Sequence, residues 1–156
     1  MKNLLVLIAV SVLSVTAFAN NRLGLSIGAA RSAPNLGVSY DSADTTGSVG
    51  GHFFFQTEKT TAGLPGVMSL AGHIKFNIAE QNRFSFEAYP GAGLHIIKGG
   101  GGGDKTTFGP TLRFRALYRI DNGAEIGLDQ LEVYNWSDEN AAASGSFTAF
   151  VIKLQI

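Results

Sequence analysis

The sequence predicts an all-β fold, an eight-stranded antiparallel up-and-down transmembrane β-barrel that is preceded by a cleaved signal peptide. Three observations favour this fold. Polar and apolar residues alternate from Arg22 onward, the polar side of the alternation is rich in glycine and serine, and short links alternate with long ones. We therefore expect a signal peptide over 1–19 and a barrel domain over 20–156.

The N-terminal segment has the pattern of a secretory signal. Lys2 supplies a positive start, an apolar run begins at Leu4, and Ala17-Phe18-Ala19 has the small-x-small form of a cleavage site. A spanning helix would need about 20 apolar residues and a charged stop, whereas the polar Asn20-Asn21 follows here. We predict that the protein is exported.

The composition excludes several classes of protein. The chain has no cysteine, so an exported domain would gain nothing from disulfides. Its 12 basic and 12 acidic residues balance, which argues against a nucleic-acid partner. After residue 19 no apolar run is long enough for a spanning helix, so a membrane-embedded chain would have to close its backbone hydrogen bonds as a barrel.

The strands are predicted from alternation of period two. The first segment places Leu25 and Ile27 on one face and Ser26 on the other, and the last ends with an apolar face that runs through Phe150 to Ile156. Pro90 lies inside the fifth segment, where its missing N–H predicts a bulge or kink. The eight predicted segments are 22–30, 35–42, 47–57, 66–78, 83–97, 107–120, 124–136 and 146–156.

Alternation alone also fits a soluble lipocalin-like barrel or a β-sandwich, in which the apolar face points inward. Glycine and serine on the polar face favour the membrane barrel, because small residues fit a narrow lumen but weaken a water-facing strand. Links near 79–82 and 121–123 are short, whereas those near 57–65, 98–106 and 137–145 are long. We expect the short links to be periplasmic turns and the long links to be surface loops.

Charged residues of the polar face are predicted to lie in the lumen. Pairing the strands about their turns places Glu87 near Lys75 and Arg115, and places Asp129 opposite both Arg115 and Lys153. Opposite charges on neighbouring strands stabilise a sheet, and buried charges need partners. We predict that Lys75, Glu87, Arg115, Asp129 and Lys153 form a ring that plugs the lumen, with an ion path as the alternative.

Metal and cofactor binding are not predicted. His52, His73 and His95 share the polar parity, and the first two could be diagonal neighbours on adjacent strands. His95 should lie near the five glycines of 99–103, far from the other two. A metal site needs three or four converging ligands, so these histidines do not indicate one.

The whole pattern resembles the small eight-stranded outer-membrane barrels of the OmpA and OmpX type, and Tyr89-Pro90-Gly91-Ala92-Gly93-Leu94 is similar to a Gly-Ala-Gly strand that recurs in them. About the last 70 residues resemble the lipid A deacylases of the PagL type. The segments concerned are Phe86-Glu87-Ala88, Gly91-Ala92-Gly93, Asn122-Gly123-Ala124-Glu125-Ile126-Gly127-Leu128 and Tyr134-Asn135.

The PagL-type resemblance implies a catalytic His at the position of Glu132, a nucleophilic Ser at that of Tyr134, and an Asn of the oxyanion site that is kept as Asn135. Glu132 does not easily replace a His base, and a tyrosine hydroxyl is a poor acyl nucleophile near neutral pH. The resemblance therefore favours a shared barrel over shared hydrolysis.

The seventh segment leaves its facing open. If the alternation continues, Gln130, Glu132 and Tyr134 face lipid, whereas a bulge near Asp129 would turn Leu131 and Val133 outward. Aromatic residues suit the membrane interface in either case. The candidate residues at the lipid rim are Glu132, Tyr134, Asn135 and Trp136.

The expected function is that of a monomeric outer-membrane barrel with a plugged polar lumen, which contributes to envelope integrity or to surface contact. A non-enzymatic role is favoured over catalysis. Its expected partners are outer-membrane lipids or lipopolysaccharide, and a surface partner could bind loops 57–65, 98–106 and 137–145. The alternatives are a lipid A-modifying, deacylase-like enzyme of the outer membrane, a narrow porin for small solutes, and a soluble periplasmic ligand binder.

Overall fold

The computed structural model describes residues 20–30, 33–57, 66–98, 104–121, 123–134 and 145–156. The predicted signal peptide, Asn135, Trp136 and most of the three long loops lie outside the described residues. The strands are β1 (Arg22–Ala30), β2 (Ala33–Asp41), β3 (Val49–Gln56), β4 (Gly66–Ile74), β5 (Phe76–Gln81), β6 (Phe84–Lys98), β7 (Lys105–Asp121), β8 (Ala124–Val133) and β9 (Gly145–Gln155). The described residues contain no helix with the length and hydropathy to cross a membrane.

The strands form one closed antiparallel sheet. Consecutive strands pair in sequence order from β1 to β4 and from β6 to β9, and β1 also pairs with β9. β4 and β5 both pair with β6, so they are two halves of a single barrel strand. The fold is therefore the predicted all-β, eight-stranded, antiparallel up-and-down barrel.

The fourth barrel strand is interrupted at Lys75. Its ladder with β6 stops at His73 and resumes at Phe76, and Pro90 of β6 lies opposite the gap. Because proline has no N–H, it cannot donate to a ladder there. The backbone N of Lys75 instead donates to Ser48 O in the turn before β3, at 2.8 Å. The bulge that we predicted at Pro90 is thus absent from β6, which keeps its register with β7, and the irregularity falls on the partner strand.

The barrel has two distinct ends. At one end, which we call the turn end, Arg22 lies beside both Asp41 and Gln155. The links 42–48, 82–83 and 122–123 are at this end. The links 31–32, 57–65, 99–104 and 134–144 are at the opposite end, which we call the loop end. The predicted rhythm of links is present, although the link 42–48 is longer than a tight turn.

Apolar side chains face outward and polar side chains face inward. Phe150 is 70% exposed and Ile27 is 64% exposed, whereas Ser26 and Ser39 are buried. A lipocalin-like barrel has the opposite distribution. The outward apolar face agrees with the parity predicted from the sequence.

The lumen is not polar along its whole length. Near the loop end its interior holds an apolar cluster formed by Phe54, Val67, Leu131, Val133 and Phe147. The rings of Phe54 and Phe147 lie 4.6 Å apart across the lumen. Leu131 and Val133 therefore point inward, and β8 has no bulge near Asp129. The polar lumen that we predicted does not extend into this half of the barrel.

Close backbone approach makes Gly127 of β8 sensitive to substitution. A Cβ at Gly127 would lie 1.9 Å from the carbonyl oxygen of Ala116, whereas the nearest atom to a Cβ at Gly72 is 3.8 Å away. We expect Gly127→Ala to lower the free energy of unfolding by about 1–3 kcal/mol through overpacking. The matched variant Gly72→Ala should stay close to wild type. The free energies of unfolding of both variants are measured in lipid vesicles by following the folded band on unheated gels as urea is increased. Equal effects of the two substitutions would contradict this packing.

Candidate functional site: the charged half of the lumen

Charged side chains fill the half of the lumen that lies near the turn end. Among the described residues, the carboxylates there equal the cationic side chains in number, and all except Asp44 are buried. Buried ions need partners because their desolvation costs several kcal/mol each. The carboxylates are Asp41, Asp44, Glu87, Glu125 and Asp129, and the cations are Arg22, Lys75, Arg113, Arg115 and Lys153.

Lys153 forms the centre of a first cluster. Its Nζ lies 2.9 Å from Glu87 Oε1, 2.9 Å from Asp44 Oδ1 and 3.7 Å from Glu125 Oε2. Lys75 approaches the same acids, with its Nζ 2.7 Å from Glu87 Oε1 and bonded also to Asp44. Because Lys153 is on β9 and Glu87 is on β6, this cluster joins opposite walls of the barrel.

Arg115 and Asp129 form a second cluster deeper in the lumen. Arg115 Nη2 donates to Ser39 Oγ at 2.7 Å and lies 3.4 Å from Asp129 Oδ2. Asp129 also accepts from Ser26 Oγ at 2.6 Å and lies 3.0 Å from Arg113 Nε. These contacts join β7 and β8 to β1 and β2 across the interior.

Tyr89 connects the two clusters. Its hydroxyl donates to Glu87 of the first cluster, and its ring lies under the guanidinium of Arg115, 5.1 Å from Cζ to the ring centroid. Asp41 lies between the clusters, 4.0 Å from both Lys153 Nζ and Arg115 Nη1. The charged side chains thus form one connected network.

The residues of the predicted ring are all buried in this network, and three of the predicted contacts are present. Lys75 Nζ lies 2.7 Å from Glu87 Oε1. Glu87 lies opposite Arg115, and Arg115 lies opposite Asp129. The pairing of Lys153 with Asp129 was wrong, because Lys153 lies opposite Glu125. β8 already ends at Val133, so the last hairpin aligns differently from our expectation. The five residues divide between two clusters and do not form a single ring.

Sequence reasoning missed the part played by Asp44. This residue is in the link between β2 and β3, yet its carboxylate bonds to Lys75 and Lys153 and lies 2.8 Å from Arg22 Nη2. Glu125, which was not in the predicted ring of lumen residues, lies 3.4 Å from Arg119 Nε and also faces Lys153. Counting Lys75 with its barrel strand, the lumen cations on the strands outnumber the lumen carboxylates. This excess of positive charge was the signal that a residue of a turn completes the network.

The three histidines behave as the parity predicts. His52 and His73 are diagonal neighbours whose Nδ1 atoms lie 3.4 Å apart, and His73 Nε2 lies 2.7 Å from Asp41 Oδ1. His95 is separate and lies 3.0 Å from Ser69 Oγ. In the described part of the chain, the three histidines do not converge on one point.

One group of carboxylates has the spacing of metal ligands. Ligand atoms of Asp44, Glu87 and Glu125 lie within 4.8 Å of one another in the described part of the barrel. The ammonium group of Lys153 is within 3.7 Å of all three carboxylates. Lys153 therefore already supplies the positive charge that a metal ion would bring.

The rim candidates face outward near the loop end. Glu132 and Tyr134 continue the outward parity of Ile126 and Leu128, and Tyr134 is 42% exposed. The structure therefore selects the first of the two facings that the sequence left open. Asn135 and Trp136, the other two candidates, lie outside the described residues.

The lowered pKa of Asp44 predicts how the stability of the barrel depends on pH. Burial alone would raise this pKa, but the ammonium groups of Lys153 and Lys75 outweigh burial and hold it below the ordinary value of 3.8. A depressed folded-state pKa adds stability that is complete above the unfolded pKa and is lost as the pH falls through the folded pKa.

We therefore expect Asp44→Asn to lower the melting temperature at pH 7, and the difference from wild type to shrink as the pH falls below about 3.8. Thermal melts followed by gel mobility between pH 7 and pH 2 measure the difference. A gap that stays constant over this range would show that the charge of Asp44 is not the source of the stability.

Comparison with solved structures identifies the same fold. The crystal structure of Neisserial surface protein A (NspA) aligns with a TM-score of 0.63 over 87% of this chain and 94% of that chain, at 8% identity. A designed transmembrane β-barrel aligns with a TM-score of 0.50 over 90% of this chain and 98% of that chain, at 12% identity. No protein-family model matches the sequence, and no curated protein matches it. At these identities the likeness is one of fold, and the fold shared is that of small transmembrane barrels.

Proposed function

We propose that the chain is an integral outer-membrane protein with a closed lumen, a monomer that supports envelope integrity or surface contact through its loops. The observation that carries this proposal is the combination of an apolar exterior with a lumen crossed by paired charges. The first property suits a barrel surrounded by lipid. The paired charges across the lumen suit a barrel that is stabilised by contacts in its interior.

The closed lumen makes a pore the weaker alternative. An ion that passed along the axis would have to separate Lys153 from Glu87 and then displace the apolar cluster around Phe54 and Phe147. Separating a buried ion pair leaves an uncompensated charge, which costs about 3–5 kcal/mol. The network therefore supports a structural role for the interior.

The deacylase alternative receives no support from the rim. Glu132 and Tyr134 face outward where the PagL-type resemblance places its catalytic pair, but neither side chain supplies a His base or a Ser nucleophile. We infer that the barrel contacts outer-membrane lipids, lipopolysaccharide among them, without cleaving them. Lipid mass spectra with and without expression test this, and a new deacylated lipid would contradict it.

The location is tested by fractionating a Gram-negative host that expresses the full chain. We expect the protein in the outer-membrane fraction, with faster gel mobility before heating than after, because a closed barrel resists detergent until it is melted. A variant without residues 1–19 is the control and should not reach the envelope. Recovery of the full chain as a soluble periplasmic protein would contradict the proposal.

The closed lumen is tested with Glu87→Ala. Removing this carboxylate takes from Lys75 its buried partner and from Lys153 its nearest buried one, so we expect a loss of about 3 kcal/mol or more in stability and a conductance that stays at the background level.

Glu80→Ala is the matched control, since Glu80 is 51% exposed and pairs with Arg119 at the surface. An exposed pair contributes about 1 kcal/mol or less, so this variant should melt close to wild type. Thermal melts and planar-bilayer recordings measure both quantities. A large conductance gain in Glu87→Ala with unchanged melting would show that the network is a gate.

A further inference from the structure

The outward face of β8 and β9 changes character along its length. From the turn end, the outward cross-strand pairs are apolar, ending with Leu128 opposite Phe150. The next two outward pairs are polar, Gln130 opposite Thr148 and Glu132 opposite Ser146. We call these four side chains the β8–β9 polar patch. On the other side of β8, β7 still presents Phe114 and Leu112 next to the patch, so the patch borders apolar surface.

The hydroxyl and amide donors of the β8–β9 polar patch are engaged within it. Gln130 Nε2 donates to Glu132 Oε1 at 2.8 Å and to Ser146 Oγ at 2.6 Å. Ser146 Oγ donates to Glu132 Oε1 at 2.7 Å, and Thr148 Oγ1 donates to Gln130 Oε1. An amide has two N–H donors and a hydroxyl has one, so these four bonds use all of them.

The remaining hydrogen-bonding capacity of the patch is acceptor capacity. Among the contacts that the structure describes, the hydrogen bonds to Glu132 all end on Oε1. Its Oε2 is left to accept a hydrogen bond from another donor. Within the described ranges, Glu132 forms no salt bridge, unlike the carboxylates of the lumen. A carboxylate at the edge of an apolar surface gains most from a cation that also donates hydrogen bonds.

We propose that the β8–β9 polar patch binds the primary ammonium group of a lipid headgroup. The patch spans two residue pairs on two strands, about 7 Å by 5 Å at ordinary strand spacings, which suits one small headgroup. The acyl chains of that lipid would lie on the apolar surface formed by Leu128 and Phe150. This inference rests on the proposed membrane location, because only there does the patch meet lipid.

The test is native mass spectrometry of the full chain, released from nanodiscs that contain equal amounts of phosphatidylethanolamine, phosphatidylcholine and phosphatidylglycerol. The ethanolamine and choline headgroups are both cationic at nitrogen, but only ethanolamine has N–H donors. We expect wild type to retain about five times more phosphatidylethanolamine than phosphatidylcholine, because this is the factor that one hydrogen bond of ordinary net strength contributes.

Two variants at the patch and one control complete the experiment. Glu132→Gln should abolish the preference, and Glu132→Lys should shift retention to phosphatidylglycerol. Glu80→Gln removes an exposed carboxylate at the turn end and should keep the wild-type preference. Gel mobility before and after heating checks that each variant is folded.

Equal retention of phosphatidylethanolamine and phosphatidylcholine by wild type would overturn the proposal, as would a preference for phosphatidylethanolamine that survives in Glu132→Gln. Retention of phosphatidylglycerol by wild type that depends on Mg²⁺ and on Glu132 would also overturn it, in favour of a carboxylate–metal–phosphate bridge. These failures differ from failure of the proposed function, in which the chain would not insert into nanodiscs at all.

Discussion

The ion pair between Lys153 and Glu87 is the contact on which the interior depends, because it joins two walls of the barrel that are far apart in the order of strands. Each group is buried, and a buried charge needs an opposite charge close to it. β8 and β7 lie between β9 and β6 in the sheet, so the pair needs a sheet that curves round to bring these two strands across the lumen from each other. Curvature of the sheet and neutralisation of its buried charges therefore support each other.

The same constraint explains how the two ends of the lumen differ. At the turn end the link 42–48 is held by Lys75, through its backbone bond to Ser48 and its side-chain bond to Asp44. This arrangement seals the charged half of the lumen. At the loop end the interior is apolar around Phe54 and Phe147, so packing and not charge pairing fills this half of the lumen.

Much of this fold could be predicted because a strand has a fixed period of two. Once Ile27 was assigned to the outer face, Ser26 had to face inward, and the same rule identified Glu87, Arg115 and Asp129 as lumen residues. Features that depend on link geometry could not be predicted. The alignment of Lys153 with Glu125 depends on where β8 ends.

The role of Asp44 depends on the path of a turn. A turn has no regular period, so it gives no parity from which to predict the direction of a side chain.

The most direct test is a double-mutant cycle on Glu87 and Lys153, with Glu87→Gln, Lys153→Met and the double variant, by thermal or urea unfolding in lipid. The account predicts a coupling free energy of about 1–3 kcal/mol, since the partners are in direct contact. Additive effects, with coupling near zero, would contradict the claim that paired charges hold opposite walls of the barrel together.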